Sequence, residues 1–334
     1  MSNGQRSRKW TRLRVATLAV AVTVFAAGCG LLDGPSAQDP AHAADNGAVR
    51  IGILSTVDNA PVKIAENHGF FREQGLDVEV STFKSGPEAL DEVAAGRLDI
   101  CLINWVSFFR AVKNGTVDAR AIADAYQATP DSLVLMTRGD AGIEEPRDLV
   151  DKKVSIHSPG NINELLVRAL LQTHGMDPSS PKYLPVVFPN IEAALDRKEI
   201  DAGVMVEPYI TRAARKIGAI PAFKLAVDST ADMPLSGYVA LTSFTKDNPD
   251  KVAAFQRGIR KANGVANNGR AELAEVLPAL AEVPVNDVPL LNLGHYPTSV
   301  EATRLQRVVD LMVAFGGMEP GLQAADLIVA MPEN

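Results

Sequence analysis

Two carboxylates beside aromatic or amide neighbours, and one glycine-centred loop rich in Asn and Ser, are the groups in this chain best suited to grip a small solute. Glu207-Pro208-Tyr209 sets an acid and a phenol together, Asn104-Trp105 an amide and an indole, and Thr56, Asp58 and Asn59 a hydroxyl, a carboxylate and a second amide. In Ser158-Pro159-Gly160-Asn161-Ile162-Asn163 the glycine lets backbone approach a ligand closely, with N–H groups free at the positive end of a following helix. Ser85, in Lys84-Ser85-Gly86, adds a hydroxyl. Each has a plainer reading: Asn161 and Glu164 as helix caps, Glu207 as an acid favoured by a helix dipole, Trp105 as core, and Asp58 as a solvated loop acid. All of this is recognition chemistry. The chain contains no His-Glu-x-x-His, Gly-x-Ser-x-Gly, phosphate-loop or Cys-x-x-Cys motif, so we expect no catalytic residue, no metal site and no cofactor. His68 and His174 each precede a glycine at a helix end, where a cation satisfies terminal carbonyls; His157, beside the Ser158 loop, is the histidine worth testing.

The elements that must position these groups alternate as in an α/β protein with largely parallel sheet. Strands are expected at 51–54, 77–81, 98–103, 119–125, 133–136, 154–156, 182–187, 202–205, 224–227 and 237–242. Helices are expected at 61–68, 87–94, 106–114, 163–174, 191–197, 208–217, 249–267, 271–280 and 299–315. Ser85 to Glu88 and Thr298 to Glu301 read as capping boxes. Open α/β sheets hold ligands at the carboxyl ends of their strands, beside helix N-termini. The loops that occupy such positions are 55–61, 84–86, 104–105, 158–163 and 207–209. A faint echo between Gly96-Arg97-Leu98-Asp99-Ile100 and Lys198-Glu199-Ile200-Asp201-Ala202 suggests two related halves, each offering a loop to one cleft.

The N-terminus bears Arg6, Arg8, Lys9, Arg12 and Arg14 without an acid, followed by the apolar stretch from Val15 to Ala27. As helix that stretch spans about 20 Å, short of a bilayer's hydrocarbon core of about 30 Å, so it reads as a secretory signal rather than a membrane anchor. Ala26-Ala27-Gly28-Cys29 resembles the lipobox of bacterial lipoproteins, which implies cleavage before Cys29 and its acylation; cleavage near Ala44 by ordinary signal peptidase is the alternative. Loss of residues 1–28 removes five cations and moves the formal charge from −7 to −12, which makes nucleic acid an unsuitable partner. Residues 29–48 read as a flexible tether. The other cysteine, Cys101, lies in an apolar strand and is expected to be core.

The segments Ala60-Pro61, Glu66-Asn67-His68-Gly69-Phe70-Phe71-Arg72-Glu73-Gln74-Gly75-Leu76, Ala95-Gly96-Arg97-Leu98-Asp99, Asp148 to Val154 and Glu207-Pro208-Tyr209, in this order, resemble the ABC-importer solute-binding proteins of the nitrate, sulfonate, taurine and thiamine-pyrimidine-precursor group. The resemblance runs from about Arg50 to the C-terminus. It implies a type II periplasmic-binding fold: two α/β lobes, residues 49–126 with 237–334 and residues 127–236, joined by two crossover strands near 123–128 and 235–239, with the ligand between them. It implies no enzyme but a lipid-anchored, extracytoplasmic binder of a small-molecule ligand that docks on an ABC permease with its ATPase. Many members carry an aromatic residue before the Glu-Pro acid; Val206 stands there in this chain.

The paired acids and aromatics favour an organic solute with a ring or amine over nitrate or a sulfonate. An enzyme on the same fold, akin to a pyrimidine-precursor synthase or a menaquinone-pathway enzyme, is the competing reading. The synthase resemblance would need a Cys- and His-rich iron site, whereas this chain has two cysteines, one of them the expected acylation site, and five scattered histidines.

Overall fold

The apolar runs and the helix punctuation fold into two five-stranded sheets in a computed structural model that describes residues 47–332. The expected signal segment 1–28, Cys29 and nearly all of the tether lie outside the described residues. In chain order the elements are β1 (Val49–Leu54), α1 (Ala60–His68), β2 (Val78–Phe83), α2 (Gly86–Ala94), β3 (Ile100–Asn104), α3 (Trp105–Lys113), β4 (Ala119–Gln127), β5 (Leu133–Thr137) and β6 (Lys153–Ile156). There follow α4 (Ile162–Thr173), β7 (Lys182–Pro185), α5 (Phe188–Asp196), β8 (Ala202–Val206), α6 (Tyr209–Ile217), β9 (Ile220–Lys224), β10 (Pro234–Leu241), α7 (Thr242–Asp247), α8 (Pro249–Asn268), α9 (Arg270–Ala281) and α10 (Ala302–Phe315).

The first sheet has the order β2-β1-β3-β10-β4 and the second β7-β6-β8-β5-β9. The two orders are the same pattern. In each sheet three parallel strands are followed by one antiparallel strand: β10 lies between β3 and β4, and β5 between β8 and β9. Because β10 returns to the first sheet after β5 to β9 have formed the second, the chain crosses twice, after Gln127 and before Pro234. The crossings run side by side, with the Ala128 N–H donating to the Met233 carbonyl at 2.9 Å and the Leu225 N–H to that of Leu133 at 3.0 Å.

The sequence echo is a structural one. Asp99 and Asp201 each follow a helix and a left-handed turn residue, Gly96 in one half and Lys198 in the other. Each carboxylate then accepts a backbone N–H at the start of the neighbouring parallel strand, from Arg50 and Lys153, both at 2.8 Å. These aspartates sit at the strand starts, so they pin register and leave the opposite, carboxyl ends free for loops.

Helices α8 and α9 pack on α1, while α10 packs against both α3 and α4. Cys101 is buried in β3, as expected of core, and burial pushes its thiol well above the ordinary range. Two expectations need correction. The strand expected at 224–227 is β9 at Ile220–Lys224, because residues 225–227 turn into the crossing. The Thr298 to Glu301 capping box does not form: α10 begins at Ala302 with Glu301 at its cap and no side-chain capping bond, and Glu301 instead accepts from the Ser299 hydroxyl at 2.9 Å.

Candidate functional site

The carboxyl ends of β1, β3, β6 and β8 converge on a cavity of about 650 Å³, its open mouth included, between the two sheets. Of the residues nominated from sequence, Thr56, Asp58, Asn104, Ser158, Asn161, Asn163 and Glu207 line it. Asn104 caps α3 by accepting the Ser107 N–H at 2.9 Å, and its amide nitrogen reaches the Ser107 hydroxyl at 3.0 Å. Asn161 caps α4, accepting from the N–H groups of Asn163 at 3.1 Å and Glu164 at 3.3 Å. The cap and the cavity wall are thus the same residues, since a helix that starts at a strand end presents its cap to the cleft.

Asp58 sits in a shell of donors: the Thr56 hydroxyl at 2.5 Å, the Ser236 hydroxyl at 2.7 Å and the Asn59 amide at 3.1 Å. Desolvation nevertheless outweighs those bonds and raises its pKa. Glu207 is fully buried. It accepts from Thr211 N–H at 3.1 Å and hydroxyl at 2.9 Å, and from the Asn292 N–H at 3.0 Å, and burial raises its pKa too. A carboxylate offers about four lone-pair positions, and each acid already meets four donors: Asp58 adds its own backbone N–H, and Glu207 the Asn292 side-chain amide at 3.4 Å.

Five nominated residues lie off the cavity. Trp105 opens α3, one residue past the cap, and the turn of the helix carries its ring into the core: it is fully buried, edge-on to Phe108, with its N–H on Asp124 at 3.3 Å. It is not a ligand wall. Asn59 is buried behind Thr56 and Asp58, holding both. The Ser85 hydroxyl is spent capping α2, accepting the Glu88 N–H at 3.2 Å, and its neighbours Gly86 and Pro87 line the cavity instead. Gly160 faces a separate groove where its carbonyl accepts from Arg110 at 2.9 Å, and its N–H donates to Glu164 at 2.7 Å rather than to a ligand. Tyr209 stands behind the wall, stacked on Phe188 with ring centroids 5.6 Å apart.

Phe188 supplies the aromatic surface that Trp105 does not. It lines the cavity at the first turn of α5, just past β7, a strand-end position that the nominated loops omitted. His157 lines it as well, edge-on to Phe188 at 4.3 Å. Tyr126 and Ser236 come from the crossing strands β4 and β10, and no local sequence signal marks them. Leu54, Leu133, Ile162, Val206 and Leu235 are among the residues of the apolar wall; in sequence they look like any core residue.

Contacts that tie the two halves across the cleft include Arg110 to the Gly160 carbonyl, the Tyr209 hydroxyl to the Ser55 carbonyl at 3.2 Å, His157 Nε2 to the Lys84 carbonyl at 3.1 Å, and the Asn292 N–H to Glu207. No Lys or Arg lines the cavity among the described residues. Burial lowers the His157 pKa to about 4, so its ring is neutral near pH 7. Among the described residues no group of three or more His, Cys, Asp or Glu could hold a metal ion.

The chain is similar to known proteins. A putative binding protein of Bacillus subtilis, YtlA, is 26% identical over 223 residues, covering 66% of each chain. The 4-amino-5-hydroxymethyl-2-methylpyrimidine phosphate synthase THI11 of Saccharomyces cerevisiae is 25% identical over 215 residues, 60% of this chain and 61% of that one. The chain therefore spans slightly less than two thirds of the length of these relatives. The alkanesulfonate-binding protein SsuA from Xanthomonas axonopodis, solved with MOPS, superposes with a TM-score of 0.73 at 15% identity over 86% of this chain and all of that one. That likeness shows the fold, a two-lobed periplasmic-binding-protein architecture. The profile described as NMT1/THI5 like matches residues 56–269, most of the folded chain, and the protein belongs to that family.

Proposed function

We propose that this chain is the extracytoplasmic solute-binding lipoprotein of an ABC importer, anchored through acylated Cys29. It captures a small organic solute between its lobes, closes, and delivers it to a membrane permease driven by a separate ATPase. The observation that carries this reading is a cavity between two sheets whose walls come from both halves, spanned by side-chain contacts that exist only when the halves are together. A solute touching both walls binds the closed state better than the open one. Moving a population from 1:99 to 99:1 takes about 5.5 kcal/mol of such preference.

The wall chemistry supports a neutral or amine-bearing ring. Asp58 and Glu207 place two acids at the wall, Phe188 gives an apolar aromatic surface, and no cation of the described lining balances an incoming anion. Nitrate or a sulfonate would be stripped of water beside two acids, which costs more than such walls return. A thermal-shift and titration screen with 4-amino-5-hydroxymethyl-2-methylpyrimidine, taurine and nitrate tests this. The pyrimidine should stabilise the protein and nitrate should not; a response to nitrate alone defeats the assignment.

The synthase among the relatives favours a second reading, catalysis on the same fold. Incubation of the protein with a cell extract depleted of pyrimidines, followed by mass spectrometry for newly formed 4-amino-5-hydroxymethyl-2-methylpyrimidine phosphate, separates the two. The binding reading requires that none is formed; its appearance replaces that reading with the enzymatic one.

A further inference from the structure

His157 holds a position that solute capture in general does not require. It follows β6 at the edge of the second half, yet its Nε2 lies 3.1 Å from the Lys84 carbonyl of the first half. A carbonyl oxygen only accepts, so the proton of the neutral ring sits on Nε2 and the other nitrogen, Nδ1, is a bare acceptor. The edge-on contact with Phe188, 4.3 Å between centroids at 64°, fixes the plane of the ring. No protein group among the described residues donates to Nδ1. Since the ring lines the cavity, it leaves an acceptor whose demand only water or a solute can meet.

We infer that His157 is a specificity-determining residue of the cleft: through Nε2–H it clasps the two halves, and through Nδ1 it accepts a hydrogen bond from an amino group of the bound solute, whose ring lies against the Phe188 surface beside it. This rests on the solute-binding reading above. It joins selection to closure, because the Nε2 bond that orients the ring forms only when the halves meet. A solute without a donor opposite Nδ1 leaves a buried acceptor unpaired in the closed state, and such a mismatch discriminates more sharply than a lost apolar contact. Nitrate and methanesulfonate, which offer only acceptors, fail on the same ground.

Calorimetric titration of the mature chain at pH 7 with 4-amino-5-hydroxymethyl-2-methylpyrimidine and its des-amino analogue, 5-hydroxymethyl-2-methylpyrimidine, reads the discrimination directly. The native protein should prefer the amine at least tenfold. His157→Asn, whose amide oxygen can stand near Nδ1, should keep the preference at weaker affinity, whereas His157→Gln, which replaces Nε2, should lose it. A purely structural histidine would weaken both compounds equally, so an unchanged ratio in His157→Gln, or a native ratio within twofold, overturns the inference. Binding of nitrate or methanesulfonate but of neither pyrimidine overturns it and leaves the solute-binding reading standing. If none of the four binds, the amino-ring assignment is wrong and the wider solute screen judges the broader reading. Independently of any ligand and of the variants' folding, ¹⁵N shifts of His157 in the native protein should show protonated Nε2 and bare Nδ1; the opposite tautomer overturns the inference.

Discussion

Individual side chains in this protein are set by what desolvation does to them. His157 carries a folded pKa of about 4 against an ordinary 6.5. The unfolded chain therefore binds a proton more readily, and stability falls as pH drops from about 6.5 to about 4. The full gap amounts to about 3 kcal/mol at 1.36 kcal/mol per unit. Asp124, bonded to Arg304 at 2.8 Å but deeply buried, has its pKa raised to about 7 and pulls the other way, since its protonated form gains on folding as pH falls below 7. Asp58 and Glu207, also raised by burial, pull the same way as Asp124, so the difference between native protein and His157→Gln in urea unfolding at pH 7 and pH 4 isolates the histidine. The native protein should lose its advantage over the variant by about 2–3 kcal/mol on acidification; a pH-independent difference contradicts the buried neutral ring. At Gly237 a Cβ would lie 1.9 Å from the Trp105 ring. Gly237→Ala should thus cost about 1–3 kcal/mol or more through overpacking, and a denaturation midpoint equal to native would show that the indole is not wedged there. Cys101, with its thiol pushed up by burial, should resist a thiol reagent until the protein unfolds; prompt labelling of native protein would contradict its packing.

At the scale of elements, the loop from Ser158 to Asn163 works with both its faces. One lines the cavity through Asn161 and Asn163, and the other holds the first half through Gly160 and Arg110. Gly160 sits at φ +67°, and a Cβ there would lie 2.8 Å from Arg110 Nε, so a β-branched residue both strains the turn and evicts the guanidinium. We predict that Gly160→Val weakens solute affinity roughly tenfold, about 1.4 kcal/mol, by opposing closure. Arg110→Ala should do the same, and the double variant should be no weaker than either single one, because both break one contact. Additive losses would show that Gly160 acts on the cavity directly. The Asn161 cap was legible from its spacing to Glu164, but not the partner that Glu164 takes, since Gly160 N–H comes within reach only when the turn closes on itself.

For the whole molecule the return of β10 to the first sheet matters most. The second half, β5 to β9, is one continuous piece of chain, whereas the first sheet is completed only by β10 from beyond it, and the two crossings lie together as one joint. Solute at saturation should reduce the radius of gyration in small-angle scattering, or leave it unchanged if the free protein already rests closed. It should also raise stability by about 2.7 kcal/mol at a hundredfold excess over Kd. Expansion on binding would contradict a closing cleft.

The alternation of apolar runs, the caps at Ser85 and Asn161, and the echo at Asp99 and Asp201 were readable in the chain because they express short-range rules: strand period, helix capping and turn geometry act within a few residues. Those rules located most of the loops that meet at the cavity. They could not choose between adjacent residues, and so Asn104 faces the cleft while Trp105 turns away into space that Gly237, far along the chain, leaves open. Phe188, Tyr126 and Ser236 reach the wall through sheet order, and His157 acquires its tautomer and its neutral ring from a carbonyl and an aromatic face supplied by distant segments. Burial and the pairing of remote groups are properties of the folded surroundings, so only the tertiary structure decides which of the chain's acids, aromatics and amides confront a solute and in what protonation state.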